Sequence, residues 1–226
     1  MVFFKMMEQT MRWMGPGSDP VPLSTLRMAG CTGVVTALGI PAGEVWPVEA
    51  ILERKALIEA AGMRWSVVES VPVHESIKLG SEPECGRCIA NYCETLRNLG
   101  ACGVDIVAYN FMPVVDWTRT DLEYPWADGS LALAFDALDF AALDLFGLGR
   151  DGARTSYDAA TIAEATERWA SLDEERRRAL LKTVIRGLPG QMTTEVADDA
   201  EQFKRALAKY GAARAVLQRH FNSRVC

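Results

Sequence analysis

Short apolar runs alternate with amphipathic stretches through the first half of the chain. Three runs rich in β-branched or aromatic residues predict strands at 34–38, 65–70 and 104–111. The stretches before them have apolar residues near helical spacing and predict helices over 23–29, 48–61 and 84–101. Nearly continuous apolar strands are typical of a parallel sheet that is buried on both faces. The alternation therefore predicts an α/β fold, either an open sheet or a (β/α)8 barrel.

The pattern changes after residue 125. Asp128-Gly129 is a turn signal, and apolar residues alternate with small ones over 130–135, which predicts half of a hairpin. Helical spacing then predicts four helices, over 136–146, 158–170, 173–186 and 198–209. No fourth buried parallel strand is evident. Because a closed barrel needs eight strands and about 250 residues, the pattern predicts at most an incomplete barrel, with a largely helical insertion after the third strand.

Composition and charge argue against nucleic-acid-binding and membrane-spanning proteins. The 226 residues are 49% hydrophobic and 24% charged with a net charge of −6, which is ordinary for a globular protein. The acidic balance argues against nucleic acid as the main partner. No run of about 18 apolar residues predicts a membrane span, and charged residues interrupt the N-terminal apolar stretch where a signal peptide would have its core. We therefore expect a cytoplasmic protein.

The six cysteines include one pair with CxxC spacing, Cys85-Gly-Arg-Cys88. This spacing is compatible with zinc or redox chemistry. However, the pair opens a predicted helix, and neither a second CxxC nor a histidine nearby in the sequence completes a tetrahedral site. The sequence therefore favours structural thiols and assigns no metal ligand.

Polar residues follow the predicted strands at the positions where parallel α/β proteins place their sites. His74 lies past the second strand and could transfer a proton, bind a ligand or substrate, or be an ordinary loop histidine. Arg12, near the start, and Arg119, after the third strand, could each clamp a carboxylate through two parallel hydrogen bonds or form surface ion pairs.

Three further residues complete this set. Glu69 could act as an acid, a base or a ligand, and Asn110 could bind a hydroxyl or cap its loop. Trp13 is a core candidate, although a tryptophan at a pocket mouth can stack on a sugar. Taken alone, these residues indicate an α/β domain with a carboxylate or sugar pocket.

Longer segments carry a resemblance to a known family. The segments are MEQTMRWMGPGSDPVPL, AGCTGVVTALGIPAGEVWPVEAILERKALIEAAGMRWSVVESVPVHESIK and NYCETLRNLGACGVDIVAYNFMPVVDWTRTDLEY. They resemble the N-terminal half of mannonate dehydratases, and the later helices are similar but looser. Residues 1–6 would then be an extension and 7–226 a partial barrel domain. Its parts would be three βα units (7–125), a hairpin and helical insertion (126–221) and a divergent tail (222–226).

The resemblance implies a xylose-isomerase-like (β/α)8 barrel that dehydrates D-mannonate to 2-dehydro-3-deoxy-D-gluconate in glucuronate catabolism, using Mn²⁺ or Fe²⁺. The family's metal ligands are His, Cys and Asp residues on later strands, so we expect the catalytic residues beyond the end of this chain. Neither His220 nor Cys226 matches a ligand position. The substrate-binding residues that the resemblance transfers are Arg12, Trp13, Glu69, His74, Asn110 and Arg119.

Other functions stay open at this point. The same barrel type also serves sugar isomerases and epimerases, and an open half-barrel could be a non-catalytic remnant. We expect the chain to be truncated and inactive alone, with D-mannonate as the small-molecule partner. The unpaired strand edge of a half-barrel invites association, so a homo-oligomer is also open.

Overall fold

The computed structural model describes residues 7–81, 83–114, 118–186 and 200–210 and divides into two compact units. The first unit contains the described residues through Phe111, and the second contains those from Met112 onward. No helix in these ranges combines the length and apolar character needed to cross a bilayer.

A four-stranded parallel sheet forms the centre of the first unit. Its strands are β1 (Thr10–Arg12), β2 (Gly33–Thr36), β3 (Arg64–Glu69) and β4 (Val107–Ala108). The strands lie side by side in chain order, and each pairs in parallel with the next. The three strands predicted from the apolar runs are confirmed as β2, β3 and β4, and the prediction that they are parallel is correct.

Helices connect these strands, as the sequence predicted. They are α1 (Leu23–Met28), α2 (Val48–Ala60), α3 (Glu75–Leu79) and α4 (Glu84–Ala101). The structure also corrects the prediction: β1 and α3 were missed, and β4 is much shorter than the run at 104–111. A three-residue strand and a five-residue helix are too short to show a period.

The core of the first unit explains the apolar runs. Val34 of β2 and Val68 of β3 are fully buried. The residues of β2 and residues 65–69 of β3 are all buried or half-buried, so both faces of the sheet are covered there. Trp46 and Ile51 pack in the same cluster, again fully buried. This arrangement aligns the carboxyl ends of the four strands along one edge.

The second unit begins with the predicted hairpin. Strands β5 (Asp121–Pro125) and β6 (Leu131–Ala134) pair antiparallel. The helices that follow are α5 (Ala137–Ala142), α6 (Ala159–Ser171), α7 (Glu174–Arg186) and α8 (Ala200–Ala208). The predicted helix over 136–146 is interrupted, because α5 continues as a π-helical segment from Leu143 to Leu148.

A buried carboxylate lies in that π-helical segment. Asp144 is only 4% exposed and accepts hydrogen bonds from Arg150 Nε (2.8 Å) and Nη2 (2.7 Å). The Tyr157 hydroxyl donates a third bond at 2.9 Å. Three donors on one carboxylate offset much of the cost of its burial.

Candidate functional site

Arg12 and Glu69 meet at the carboxyl ends of the strands. They terminate β1 and β3, which lie on either side of β2, and Arg12 Nη1 is 3.4 Å from Glu69 Oε2. Both side chains are partly exposed, at 36% and 42%, so a ligand in solution can reach the pair. Arg12 Nε is buried and donates to no acceptor in the described part of the chain. The exposed end of the Arg12 guanidinium thus lies beside a carboxylate, and its buried Nε has no acceptor among the described residues.

Asn110 lies near the same edge of the sheet. It follows β4, and its Nδ2 is 3.5 Å from the hydroxyl oxygen of Ser70, the residue after β3. At that distance the hydrogen bond is weak. Asn110 therefore lies beside the residue that follows Glu69. Its side-chain amide could hydrogen-bond to a hydroxyl of a ligand.

Trp13 supports this edge from inside the core. Its side chain is 4% exposed, and the guanidinium carbon of Arg54 lies 5.4 Å from its ring centroid. Arg54 Nη1 in turn donates to the Ala37 carbonyl (2.9 Å) and to Thr36 Oγ1 (3.2 Å), just past β2. Burial lowers the pKa of Arg54, and Glu53 partly opposes that shift. Of the two settings considered for Trp13, the structure shows the core.

Arg54 was not among the residues selected from the sequence. It occupies a position in the middle of α2 where a charged residue usually faces solvent. Only the contacts with Trp13 and the end of β2 reveal its role in holding the loop after β1 against the sheet.

His74 caps a short helix. It is the N-cap of α3, where its Nδ1 accepts a hydrogen bond from the Ser76 backbone N–H at 3.2 Å and lies 2.8 Å from Ser76 Oγ. A side-chain acceptor at this position satisfies an otherwise unpaired amide of the first turn. With Nδ1 engaged in these contacts, Nε2 is the ring nitrogen left for a further ligand.

His74 also belongs to a cluster with metal-binding side chains. Its ring, the Glu84 carboxylate and the Cys88 thiol each place one ligand atom so that all three lie within 4.8 Å of one another. Cys88 is fully buried, and its Sγ is 3.7 Å from Glu84 Oε1. Arg87 also pairs with Glu84, and this hydrogen bond lowers the pKa of that carboxyl.

The sequence shows no histidine close to the CxxC motif along the chain, but the fold brings His74 next to it. The loop after β3 returns His74 to the first turns of α4, where Glu84 and Cys88 share one face at i, i+4 spacing. The CxxC spacing was the only feature of the sequence that indicated a metal-binding cluster here, and it indicates Cys85 as readily as Cys88.

The cluster is not the ligand set that the family resemblance implies. The resemblance places the His, Cys and Asp ligands on later strands, whereas this cluster joins His74, before α3, to Glu84 and Cys88 of α4. His74 is also the single histidine in the described residues. No step of a dehydration is therefore assigned to His74, Glu84 and Cys88.

Arg119 belongs to the second unit, whereas the other five selected residues belong to the first. Its Nη1 donates to the Thr118 carbonyl at 3.0 Å. Within the first unit, the structure brings Arg12 to Glu69 and places Asn110 beside Ser70.

Comparison with known proteins gives a consistent result. A family model described as D-mannonate dehydratase (UxuA) matches residues 7–222. Mannonate dehydratase of Chromohalobacter salexigens is 53% identical over 205 residues, and that of Marinomonas sp. is 52% identical over 207 residues. Each match covers 90% of this chain and 51% of the relative.

A solved structure agrees with these relatives. The crystal structure of mannonate dehydratase from Streptococcus suis serotype 2 matches with a TM-score of 0.55 and 34% identity, over 96% of this chain and 51% of that one. The chain thus spans about half the length of each relative it matches.

Proposed function

We propose, because this chain belongs to the D-mannonate dehydratase family, that it contributes one half of an enzyme that converts D-mannonate to 2-dehydro-3-deoxy-D-gluconate and water. The reaction breaks the bond between C3 and its hydroxyl and removes the proton on C2, next to the carboxylate. The proposed physiological setting is glucuronate catabolism.

We propose further that β1 to β4 are the first four strands of a xylose-isomerase-like (β/α)8 barrel. The order of the strands supports this proposal. In a barrel each parallel strand pairs with the next one in the chain, whereas doubly wound sheets reverse direction at a switch point. The sheet follows chain order from β1 to β4 without a reversal.

The substrate pocket is proposed to lie at the carboxyl ends of these strands. The observation that carries it is the Arg12–Glu69 pair, which is partly exposed and retains a buried, unused Nε donor. A guanidinium there can bind the mannonate carboxylate through two parallel hydrogen bonds. Glu69 can then accept or return a proton, and Asn110 can bind a sugar hydroxyl. Arg119 is proposed as a further substrate-binding residue. Trp13 is proposed to support the strand ends from the core, and the substrate contact expected of His74 gives way to the metal-binding role proposed below.

The α proton of a carboxylate is weakly acidic, so the elimination requires charge stabilisation. A bound Mn²⁺ or Fe²⁺ would supply this stabilisation as a Lewis acid. We assign its ligands to residues outside the described ones, because the family resemblance places them on later strands.

A chimera tests this proposal. Residues 1–210 of this chain are fused to the second half of the Chromohalobacter salexigens relative, and the 226-residue chain is assayed beside it with mannonate and Mn²⁺ or Fe²⁺. We expect the chimera to form the 2-keto product and the chain alone to give no more than the metal-free background. The intact relative is the positive control, and turnover of a hexose or a hexuronate instead of mannonate would indicate an isomerase. An inactive chimera that is folded and binds the metal would contradict the proposal.

A further inference from the structure

We propose that His74, Glu84 and Cys88 form a site for Zn²⁺. The three side chains offer one imidazole nitrogen, one carboxylate oxygen and one thiolate sulfur. Zinc accepts all three ligand types in tetrahedral sites. This proposal does not depend on the proposed function, because it concerns binding by this chain alone.

Geometry supports the assignment. Tetrahedral ligands at zinc distances lie roughly 3.5 Å apart, and the three ligand atoms lie within 4.8 Å of one another. Side-chain rotations that move each atom by about 1 Å are therefore enough to close the site. Glu84 and Cys88 sit on one face of the same helix, so their relative position is already fixed.

The surroundings of His74 suit a ligand through Nε2. A metal-bound imidazole donates its other ring N–H to a nearby acceptor, which holds the ring in place. Ser76 Oγ is 2.8 Å from Nδ1 and can accept that bond. In the metal-free state, Nδ1 instead accepts from the Ser76 backbone N–H. Zinc binding therefore selects the tautomer with the proton on Nδ1.

Arg87 does not block the site. It pairs with Glu84, but its Nη1 also lies 3.7 Å from Glu44 Oε1. Glu84 can turn towards a cation while Arg87 remains paired with Glu44. Glu44 lines the same pocket as His74 and Cys88, and a water molecule can complete the coordination from this side.

Gly43 shapes the other wall of the cluster. Its φ is +86°, and a Cβ at this position would lie 3.0 Å from both Cys88 Sγ and His74 Cδ2. The backbone of Gly43 thus packs directly against two of the three proposed ligands.

On metal binding, the Cys88 thiol loses its proton to solvent, so the affinity for Zn²⁺ should fall as the pH is lowered.

The test is titration of the reduced 226-residue chain with Co²⁺, followed by competition with Zn²⁺ in the presence of a chromophoric chelator. Co²⁺ bound to a thiolate gives a charge-transfer absorption band that carboxylate and imidazole ligands do not give. We expect one equivalent to produce this band and Zn²⁺ to abolish it. The Cys88→Ser variant should lose the band, and Cys93→Ser, the matched control on the same helix, should keep it.

Two variants guard against loss of folding. His74→Asn retains a side-chain acceptor for the Ser76 amide, and Glu84→Gln alters a half-exposed side chain. Each should weaken Zn²⁺ binding by more than the roughly tenfold that loss of an orienting partner costs, with an unchanged far-UV circular dichroism spectrum. Three results would overturn the proposal. The unmodified chain could lack the thiolate band, Cys88→Ser could keep it, or both His74→Asn and Glu84→Gln could bind Zn²⁺ with unchanged affinity.

Discussion

Arg12 and Glu69 form an ion pair across a strand that lies between theirs. Arg12 ends β1, Glu69 ends β3, and the 3.4 Å contact between Nη1 and Oε2 passes over the carboxyl end of β2. Because both groups are partly exposed, the pair contributes at most about 1 kcal/mol to folding. Parallel α/β proteins bind ligands at this edge of the sheet. We therefore expect the pair to matter more for ligand binding than for stability.

Removal of the buried carboxylate in the second unit should destabilise that unit. In Asp144→Ala, Arg150 and Tyr157 lose their shared acceptor, and a partly buried guanidinium is left uncompensated. Loss of one partner of a buried pair costs about 3–5 kcal/mol, and we expect the lower end because Arg150 is partly exposed. The urea midpoint of the chain measures the change.

The matched control for that experiment is Glu174→Gln, which breaks an exposed pair with Arg178 in the same unit. It should shift stability by less than about 0.5 kcal/mol. Equal effects of the two variants would show that Asp144 has no special role.

Tyr157 should make stability depend on alkaline pH. Burial and the adjacent Asp144 raise the pKa of Tyr157 from 10.0 to about 12. Between these two values the unfolded chain releases the phenol proton and the folded chain keeps it, so the free energy of unfolding falls as pH rises. The contribution is fully present below pH 10 and is lost from pH 10 to about 12.

The check is to compare the unfolding free energies of the unmodified chain and Tyr157→Phe across this range. Lysine titration affects both proteins alike, so their difference isolates the phenol. Between pH 10 and about 12 the unmodified chain should lose stability relative to Tyr157→Phe. A difference that does not change with pH would show that the pKa of Tyr157 is not raised.

Gly43 should not tolerate a side chain. Gly43→Ala forces a Cβ at φ +86° and places it 3.0 Å from Cys88 Sγ and His74 Cδ2. An alanine in this backbone conformation costs at least about 1 kcal/mol. Gly39→Ala is the control, since a Cβ there meets nothing within 4 Å. Thermal unfolding of the two variants should separate them, and equal midpoints would contradict the expected strain.

The sequence predicted the regular elements well where they are long. Helix α4 begins and ends where its apolar spacing indicates, from Glu84 to Ala101, because an 18-residue helix repeats its pattern several times. Strand β1 was missed because three residues cannot show a period, and its pairing with β2 depends on contacts distant in sequence. The π-helical change at Leu143 has no local sequence signal that distinguishes it from continued α-helix.

The candidate site followed the same rule. Residues at strand ends, such as Glu69 and Asn110, could be selected because strand ends are visible in the apolar pattern. The roles of Arg54 and Cys88 could not be, since each depends on a partner far along the chain: Trp13 for Arg54, and His74 for Cys88.

Arg119, in the second unit, is tested separately as a proposed substrate-binding residue. In the chimera, Arg119→Ala should raise the KM for mannonate about tenfold to a hundredfold, because loss of a charge-assisted contact costs about 1.5–3 kcal/mol. Arg178→Ala is the control, as its side chain is 75% exposed in the same unit. Unchanged kinetics would assign Arg119 to the protein surface.

The most direct test of the account is the KM of the chimera for mannonate after Arg12→Ala, with Arg12→Lys and Arg97→Ala beside it. We predict that Arg12→Ala raises KM about tenfold to a hundredfold. Arg12→Lys should recover only part of the loss, because lysine cannot form two parallel bonds to a carboxylate. Arg97, 74% exposed on α4, should be silent. A KM for Arg12→Ala equal to that of Arg97→Ala would contradict a substrate pocket at the carboxyl ends of β1 and β3.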